Sequence, residues 1–277
     1  MKLSFIAAAA AALIGSAASA SDLKEFRIGI LGGENASDRL RAYECLEEKA
    51  HALLGVDVKL FAPADYNGVI EGLLGGNLDM AWLGASAYAK VFLADPDAVE
   101  PVLVKVNVDG SYGYYSIGFA RNDSGISSIE IPKAGYAMEP GKHFADVTFV
   151  GGHEQTIVAV ANGDIDAGVT WADGLGAWED GYNSGALRKA ADAGLVDMTE
   201  LKEIWRSPVI PEGPIVLRKS LDERTKLQMT ALMATLPTVD ADCAYGVLAG
   251  DAQGFMPIGH DAYSAIVEAR RLKSLKN

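Results

Sequence analysis

The sequence predicts an α/β fold with a largely parallel sheet. Short alternating or wholly apolar runs recur between stretches of helical periodicity, and glycine pairs mark many of the junctions. A chain of 277 residues holds one large domain or two of about 100–150 residues each.

The elements follow in order. Phe26 to Leu31 alternates and then stays apolar, as a first buried strand, and Gly32-Gly33 breaks it. Ser37 and Asp38 can cap a helix through Leu40, Tyr43, Leu46 and Ala50. Val56 to Phe61 alternates as a second strand. A helix over Tyr66 to Leu74 closes on Gly75-Gly76. Leu78 to Leu83 is a third strand, and Ser86 to Leu93 a further helix. Leu103 to Val108 and Tyr114 to Ala120 flank the turn Asp109-Gly110-Ser111 as strands. Beyond an aperiodic stretch over 124–142, Val147 to Val150 reads as a strand, Thr156 to Ala161 as a helix and Ile165 to Thr170 as a strand. Leu187 to Ala193 and Met198 to Ile204 read as helices, and Ile215 to Leu217 as a short strand. The last third reads as mostly helical and ends in an amphipathic helix over Ala262 to Leu272. Its basic residues suit the negative end of a helix dipole.

Residues 1–20, MKLSFIAAAAAALIGSAASA, set Lys2 before an alanine-rich run and end on Ala18-Ser19-Ala20. That is the pattern of a secretory signal cleaved near Ala20, with an apolar core too short to span a bilayer. The formal net charge of −13 argues against nucleic acid or anionic lipid as partner. A small anion stays admissible if backbone N–H groups and hydroxyls build a local site. Cys45 and Cys243 are the only cysteines. A disulfide between them and two separate thiols are both open, because sequence does not give proximity. Four histidines and two distant cysteines match no metal-ligand spacing, and no cofactor is expected.

One stretch concentrates chemistry. GGHEQTIVAVANGDIDAG, residues 151–168, places His153, Glu154 and Thr156 at the mouth of an apolar run behind two glycines. A catalytic cluster, a metal site and a helix start that receives a ligand are the three readings. Neither a Gly-x-Ser-x-Gly elbow nor a metal motif supports the first two. For Trp82, Trp171, Trp178 and Trp205, packing in the core or cleft wall is favoured over ligand stacking.

Several stretches occur together and in order: residues 64–72 (ADYNGVIEG), 78–84 (LDMAWLG), 113–116 (GYYS), 151–154 (GGHE), 159–167 (AVANGDIDA) and 204–216 (IWRSPVIPEGPIV). In this combination the chain resembles the phosphate, phosphite and phosphonate substrate-binding proteins of ABC transporters, of the phosphonate-binding type. The resemblance covers nearly all of the chain after the signal. It implies a type 2 periplasmic-binding-protein fold: two α/β lobes with a ligand cleft, residues 24–120 plus 205–277 forming the first and 121–204 the second. It further implies a periplasmic monomer that binds phosphonate, phosphite or phosphate by lobe closure and delivers it to an ABC permease, without catalysis. The ligand set it implies is Tyr66 and Tyr114 through their hydroxyls, His153 with Glu154 at a helix start, and Asp173, which matches a carboxylate of the aminoalkylphosphonate binders. Trp171 and Gly174 depart from that pattern. Some members also have an acidic residue before the late proline, where this chain has Gly213 beside Glu212.

The main departure is a gap. Family members carry a strand ending in Asp-Pro, and then a Ser-Thr-Ser-Gly helix start, ahead of the Gly-Gly-His segment. Here Asp123 to Glu130 runs directly into Ile131 to Pro140. The second lobe is therefore expected to lack a strand and a helix start, and to bind its oxyanion weakly or not at all. A degenerate family member acting through protein interaction, and an exported hydrolase built on His153 and Glu154, are the alternatives.

Overall fold

The first strand, β1 (Glu25–Gly29), alternates so that Phe26 and Ile28 are buried on one face, and it pairs in parallel with β2 (Asp57–Phe61) and β3 (Met80–Trp82). The computed structural model describes residues 23–31, 35–128 and 144–274. The expected signal, Gly32-Gly33 and residues 129–143 lie outside them.

The helix α1 (Ala36–Leu54) joins β1 to β2, and α2 (Tyr66–Leu74) joins β2 to β3. The side chain of Asn35 accepts the Ser37 N–H at the start of α1, so the cap falls just before the expected Ser37 and Asp38. Beyond α3 (Ala85–Ala94), the chain runs through β4 (Val99–Val106) into β5 (Gly113–Arg121). Next come α4 (His153–Asn162), β6 (Ala167–Ala172) and α5 (Ala186–Asp192), followed by β7 (Leu201–Arg206), β8 (Ile210–Pro211) and β9 (Pro214–Arg218). The last elements are α6 (Glu223–Val239), α7 (Ala241–Leu248), β10 (Gly254–Pro257) and α8 (Ser264–Ser274).

Two sheets result. The first has the order β10-β4-β9-β3-β1-β2, and the second is β6-β5-β7 with β8 also paired to β5. Among the described residues only the β1–β2 and β1–β3 pairs are parallel, so the expected largely parallel sheet is corrected. Strand β9 re-enters the first sheet between β3 and β4 from the second sheet, antiparallel to both, and every pair of the second sheet is antiparallel. Period-two alternation divides the first core between two faces. Ile215 and Leu217 join Tyr43, Met229 and Val247 of α1, α6 and α7, whereas Val216 joins Val69 and Tyr88 of α2 and α3. Around the second sheet, Ile117 and Phe119 pack on Ile157, Val160 and Leu187 of α4 and α5.

Three local expectations are corrected. Met198 to Ile204 is a short 3-10 turn followed by strand β7. Leu201 and Ile204 are both buried, a spacing that resembles a helix. The register shift opposite Gly118 and Phe119 is a bulge, and it lets two residues an odd number apart face inward together. Val147 to Val150 forms no strand and leaves Phe149 83% exposed. Strand β10 was not expected. It is a sheet-edge strand that ends in proline, which an edge tolerates.

Cys45 of α1 and Cys243 of α7 form a disulfide with Cα atoms 5.8 Å apart, closing a sequence separation of 198 residues. Closing so long a loop restricts the unfolded chain, and removal is expected to cost about 2–5 kcal/mol. A C45S/C243S variant should melt on the order of 10 °C lower than the oxidised protein. Calorimetry of both, with an unchanged melting temperature as the contrary outcome, checks this.

Candidate functional site

The chain passes between the sheets twice, over residues 107–112 and 212–213, and a cleft opens between the two bodies. The crossings are tied together where the Glu212 N–H donates to the Tyr112 carbonyl. A side chain at Gly213 would put its Cβ 1.8 Å from the Leu83 carbonyl oxygen, so only glycine lets the second crossing pass the end of β3. The cavity holds about 450 Å³. Its lining includes Tyr66, Trp82, Ser86, Tyr114, Ser116, His153, Thr170, Trp171 and Glu212.

Each polar group is set by its element. Asp65 caps α2 by accepting from Gly68 N–H, which places Tyr66 in the first turn facing the cleft. Gly151 takes φ 109°, a conformation that favours glycine, and turns the chain into α4. His153 is the first residue of α4, where amide N–H groups have no partner within the helix and the dipole is positive. Thr156 Oγ1 donates back to Gly152 O and closes that first turn. The His153 ring is held at both nitrogens: Thr170 Oγ1 lies 3.1 Å from Nδ1, and Tyr66 Oη lies 3.2 Å from Nε2 across the cleft. Tyr114 sits edge-on to Trp171 with ring centres 5.9 Å apart. Its hydroxyl is pushed up to about 12, chiefly by burial, so it remains an intact donor at any physiological pH.

The cleft carries an unexpected charge. In a chain of net charge −13, its lining among the described residues includes Arg39, Lys90, Lys189 and Arg270, with Glu212 as the one carboxylate. Arg39 is buried and donates to the carbonyls of Ile30, Leu31 and Pro63. Lys90 donates to Asn67 Oδ1 at 2.7 Å, and Arg270 to Ser86 Oγ at 2.6 Å. Low-dielectric walls concentrate such a field on the cavity. One sequence signal pointed to Arg39: it shares the buried stripe of α1 with Tyr43, Leu46 and Ala50. Arg270 had been assigned to the helix dipole; its cleft position depends on how α8 packs on α3, which periodicity cannot show.

Tyr66, Tyr114 and His153 are thus brought together. Glu154 is not with them. Successive helix residues point about 100° apart, and Glu154 turns away to accept the Asn35 N–H at 3.1 Å, in a neighbouring groove against α1, α5 and α7. Asp173 is also outside the lining. Its Oδ1 accepts the Leu175 N–H in a local turn, and it is buried behind the cleft wall. Trp82 and Trp171 line the cleft, whereas Trp178 donates to Leu201 O and Trp205 packs against Gly118.

Behind that wall lies a charge cluster that sequence reasoning missed. Lys105 of β4 has no solvent exposure. Its Nζ donates to Ser184 Oγ at 2.5 Å and stands 5.8 Å from the centre of the Trp171 ring. The carboxylates of Glu212 and Asp173 act on it, and Glu212 Oε2 and Asp173 Oδ2 have no hydrogen-bond partner. Burial lowers the Lys105 proton affinity and raises those of Glu212 and Asp173. Among the described residues no group of three side chains could hold a metal ion, and no helix is long and apolar enough to cross a membrane.

Two α/β bodies joined by two crossings around a cleft with polar and cationic groups define the class of two-lobed binding proteins. The chain belongs to the family described as ABC transporter, phosphonate, periplasmic substrate-binding protein, which matches residues 28–134 and 130–263. It is 26% identical to the Phosphate-import protein PhnD of Mycolicibacterium smegmatis, over 89% of this chain and 85% of that one. It is 28% identical to the Phosphonates-binding periplasmic protein of Escherichia coli, over 73% of this chain and 63% of that relative's length. Its fold matches the crystal structure of a binding protein component of an ABC phosphonate transporter from Pseudomonas aeruginosa, with a TM-score of 0.74 and 22% identity, covering 91% and 87% of the two chains.

The raised proton affinity of Glu212 has a signed consequence. A group that holds its proton more tightly when folded contributes stability below its unfolded pKa and loses it as pH rises. Glu212→Gln should therefore melt above wild type at pH 7–8 and converge with it below the ordinary value of 4.5. A pH series of melting curves reads this, and a difference independent of pH would contradict the assignment.

Proposed function

We propose that this chain captures a small phosphorus oxyanion (phosphonate, phosphite or phosphate) in the cleft and presents it to an ABC permease as a periplasmic monomer. The observation that carries this reading is the pair Tyr66 and His153, one from each body, meeting across a cation-lined cleft at a helix start. An oxyanion has enough acceptor oxygens to take Tyr66 Oη, the His153 ring and N–H groups of the first turn of α4 at once. Binding these groups together favours the closed arrangement, and a permease that reads closure receives only loaded protein. The names of the Mycolicibacterium and Escherichia relatives point to the same ligand class.

The two sheets are the two lobes in this reading. The expected boundary at 120–121 would cut off β5, whose ladder with β6 and β7 carries it into the second lobe; the hinges are residues 107–112 and 212–213. No covalent step is needed, and the site serves capture and release rather than turnover.

Affinity is reduced by the missing helix start. The two family matches overlap over residues 130–134, at the junction where the Ser-Thr-Ser segment is absent. Each lost charge-assisted hydrogen bond weakens binding by about 1.5–3 kcal/mol, roughly tenfold or more.

Titration followed by 31P NMR should give dissociation constants between micromolar and millimolar. His153→Ala should raise them about tenfold further, as expected for loss of about 1.5 kcal/mol. Sub-micromolar binding would contradict the lost-donor account, and no binding at roughly 10 mM, about 2.7 kcal/mol in affinity, would contradict the ligand class.

A further inference from the structure

The cluster behind the cleft wall has no part in gripping an oxyanion, and its composition is unusual. Three ionisable side chains, Lys105, Asp173 and Glu212, are each at least nine-tenths buried where the two bodies join. They come from three separate places: Lys105 from β4, Asp173 from just beyond β6, and Glu212 from the second crossing. Only Glu212 reaches the cleft, beside Trp171 and Tyr114.

A donor count shows how the cluster is balanced. An ammonium has three N–H donors, and one goes to Ser184 Oγ. Two remain, against two carboxyl oxygens without partners, Asp173 Oδ2 and Glu212 Oε2. One buried positive charge faces two acids, and burial drives the acids toward their neutral form. With one acid ionised, the set is neutral. A second cation brought to Glu212 from the cleft would have to displace the acid proton. It would also sit near the Lys105 ammonium with little water to screen the repulsion.

Resting on the oxyanion reading above, we propose that Lys105 is a specificity-determining residue: its ammonium occupies the anionic end of the cleft from behind, so the ligand's substituent must carry no positive charge. Methyl, short alkyl or hydrogen on phosphorus is accepted, and an aminoalkyl group is refused. The aromatic walls of Tyr114 and Trp171 suit such an uncharged substituent. Selection works by repulsion, through a charge the protein supplies itself. Without Lys105, the two carboxyl groups would favour a ligand ammonium.

The test compares propylphosphonate with 2-aminoethylphosphonate, which match in length and differ in the terminal charge, together with methylphosphonate and phosphite. Dissociation constants from 31P NMR titration remain readable when binding is weak. For wild type, the tightest of the three uncharged ligands should bind at least tenfold better than 2-aminoethylphosphonate. Lys105→Met keeps the apolar stem and removes the charge. It should improve 2-aminoethylphosphonate at least tenfold while leaving the uncharged ligands within about threefold, or about 0.65 kcal/mol. If Lys105→Met does not fold, the wild-type ratio decides alone. Wild-type preference for 2-aminoethylphosphonate, or a folded Lys105→Met without the gain, overturns the assignment to Lys105 and leaves the oxyanion reading standing. Failure of wild type to bind any of the four, or inorganic phosphate tested beside them, overturns both.

Discussion

The structure depends on two short crossings. Because the chain leaves the first sheet after β4 and returns at β9, the first body is completed by strands far apart in sequence and the second by the consecutive strands β5 to β8, and the cleft lies between them. Backbone packing at the second crossing leaves no room for a Cβ at Gly213, so the end of β3 and the cleft wall are held in contact. The disulfide stiffens the same body by fixing α1 to α7. The end of α7 in turn meets the second body, where the Gly185 N–H donates to Ala249 O and the Asp251 N–H to Asn183 O.

Charge is distributed with the same economy. The surplus of acidic residues repels large polyanions, while the cleft gathers arginine and lysine side chains. The cations stand at different depths: Arg39 buried, Lys90 and Arg270 tethered by hydrogen bonds to Asn67 and Ser86, and Lys105 behind the wall. An oxyanion entering this space meets donors already oriented by caps and turns, so little ordering cost falls on binding.

Much of this was legible in the sequence, and the failures have physical causes. The first three strands and helices followed from periodicity, because their apolar residues recur at strand or helix spacing, and α1 and α2 also carry side-chain caps at Asn35 and Asp65. Strand β7 was misread because a bulge at Ile204 gives buried residues a helical spacing. Val147 to Val150 alternates, yet it has no neighbour among the described residues to pair with, and alternation alone does not make a strand. In the site, Tyr66, Tyr114 and His153 carried family signatures, and the fold brings them to one cavity. Glu154 and Asp173 carried signatures too, but helix rotation and a local turn direct them elsewhere. Lys105 gave no signal: a lysine in an alternating strand reads as solvated, and only long-range pairing shows it buried.

The central claim is that groups from both bodies close on a single oxyanion. A crystal structure with methylphosphonate tests it most directly. The account predicts phosphonate oxygens within hydrogen-bond distance of both Tyr66 Oη and His153 Nε2, at the start of α4. An anion held by one body alone, or one lying outside the cleft with the Tyr66–His153 contact intact, would contradict it.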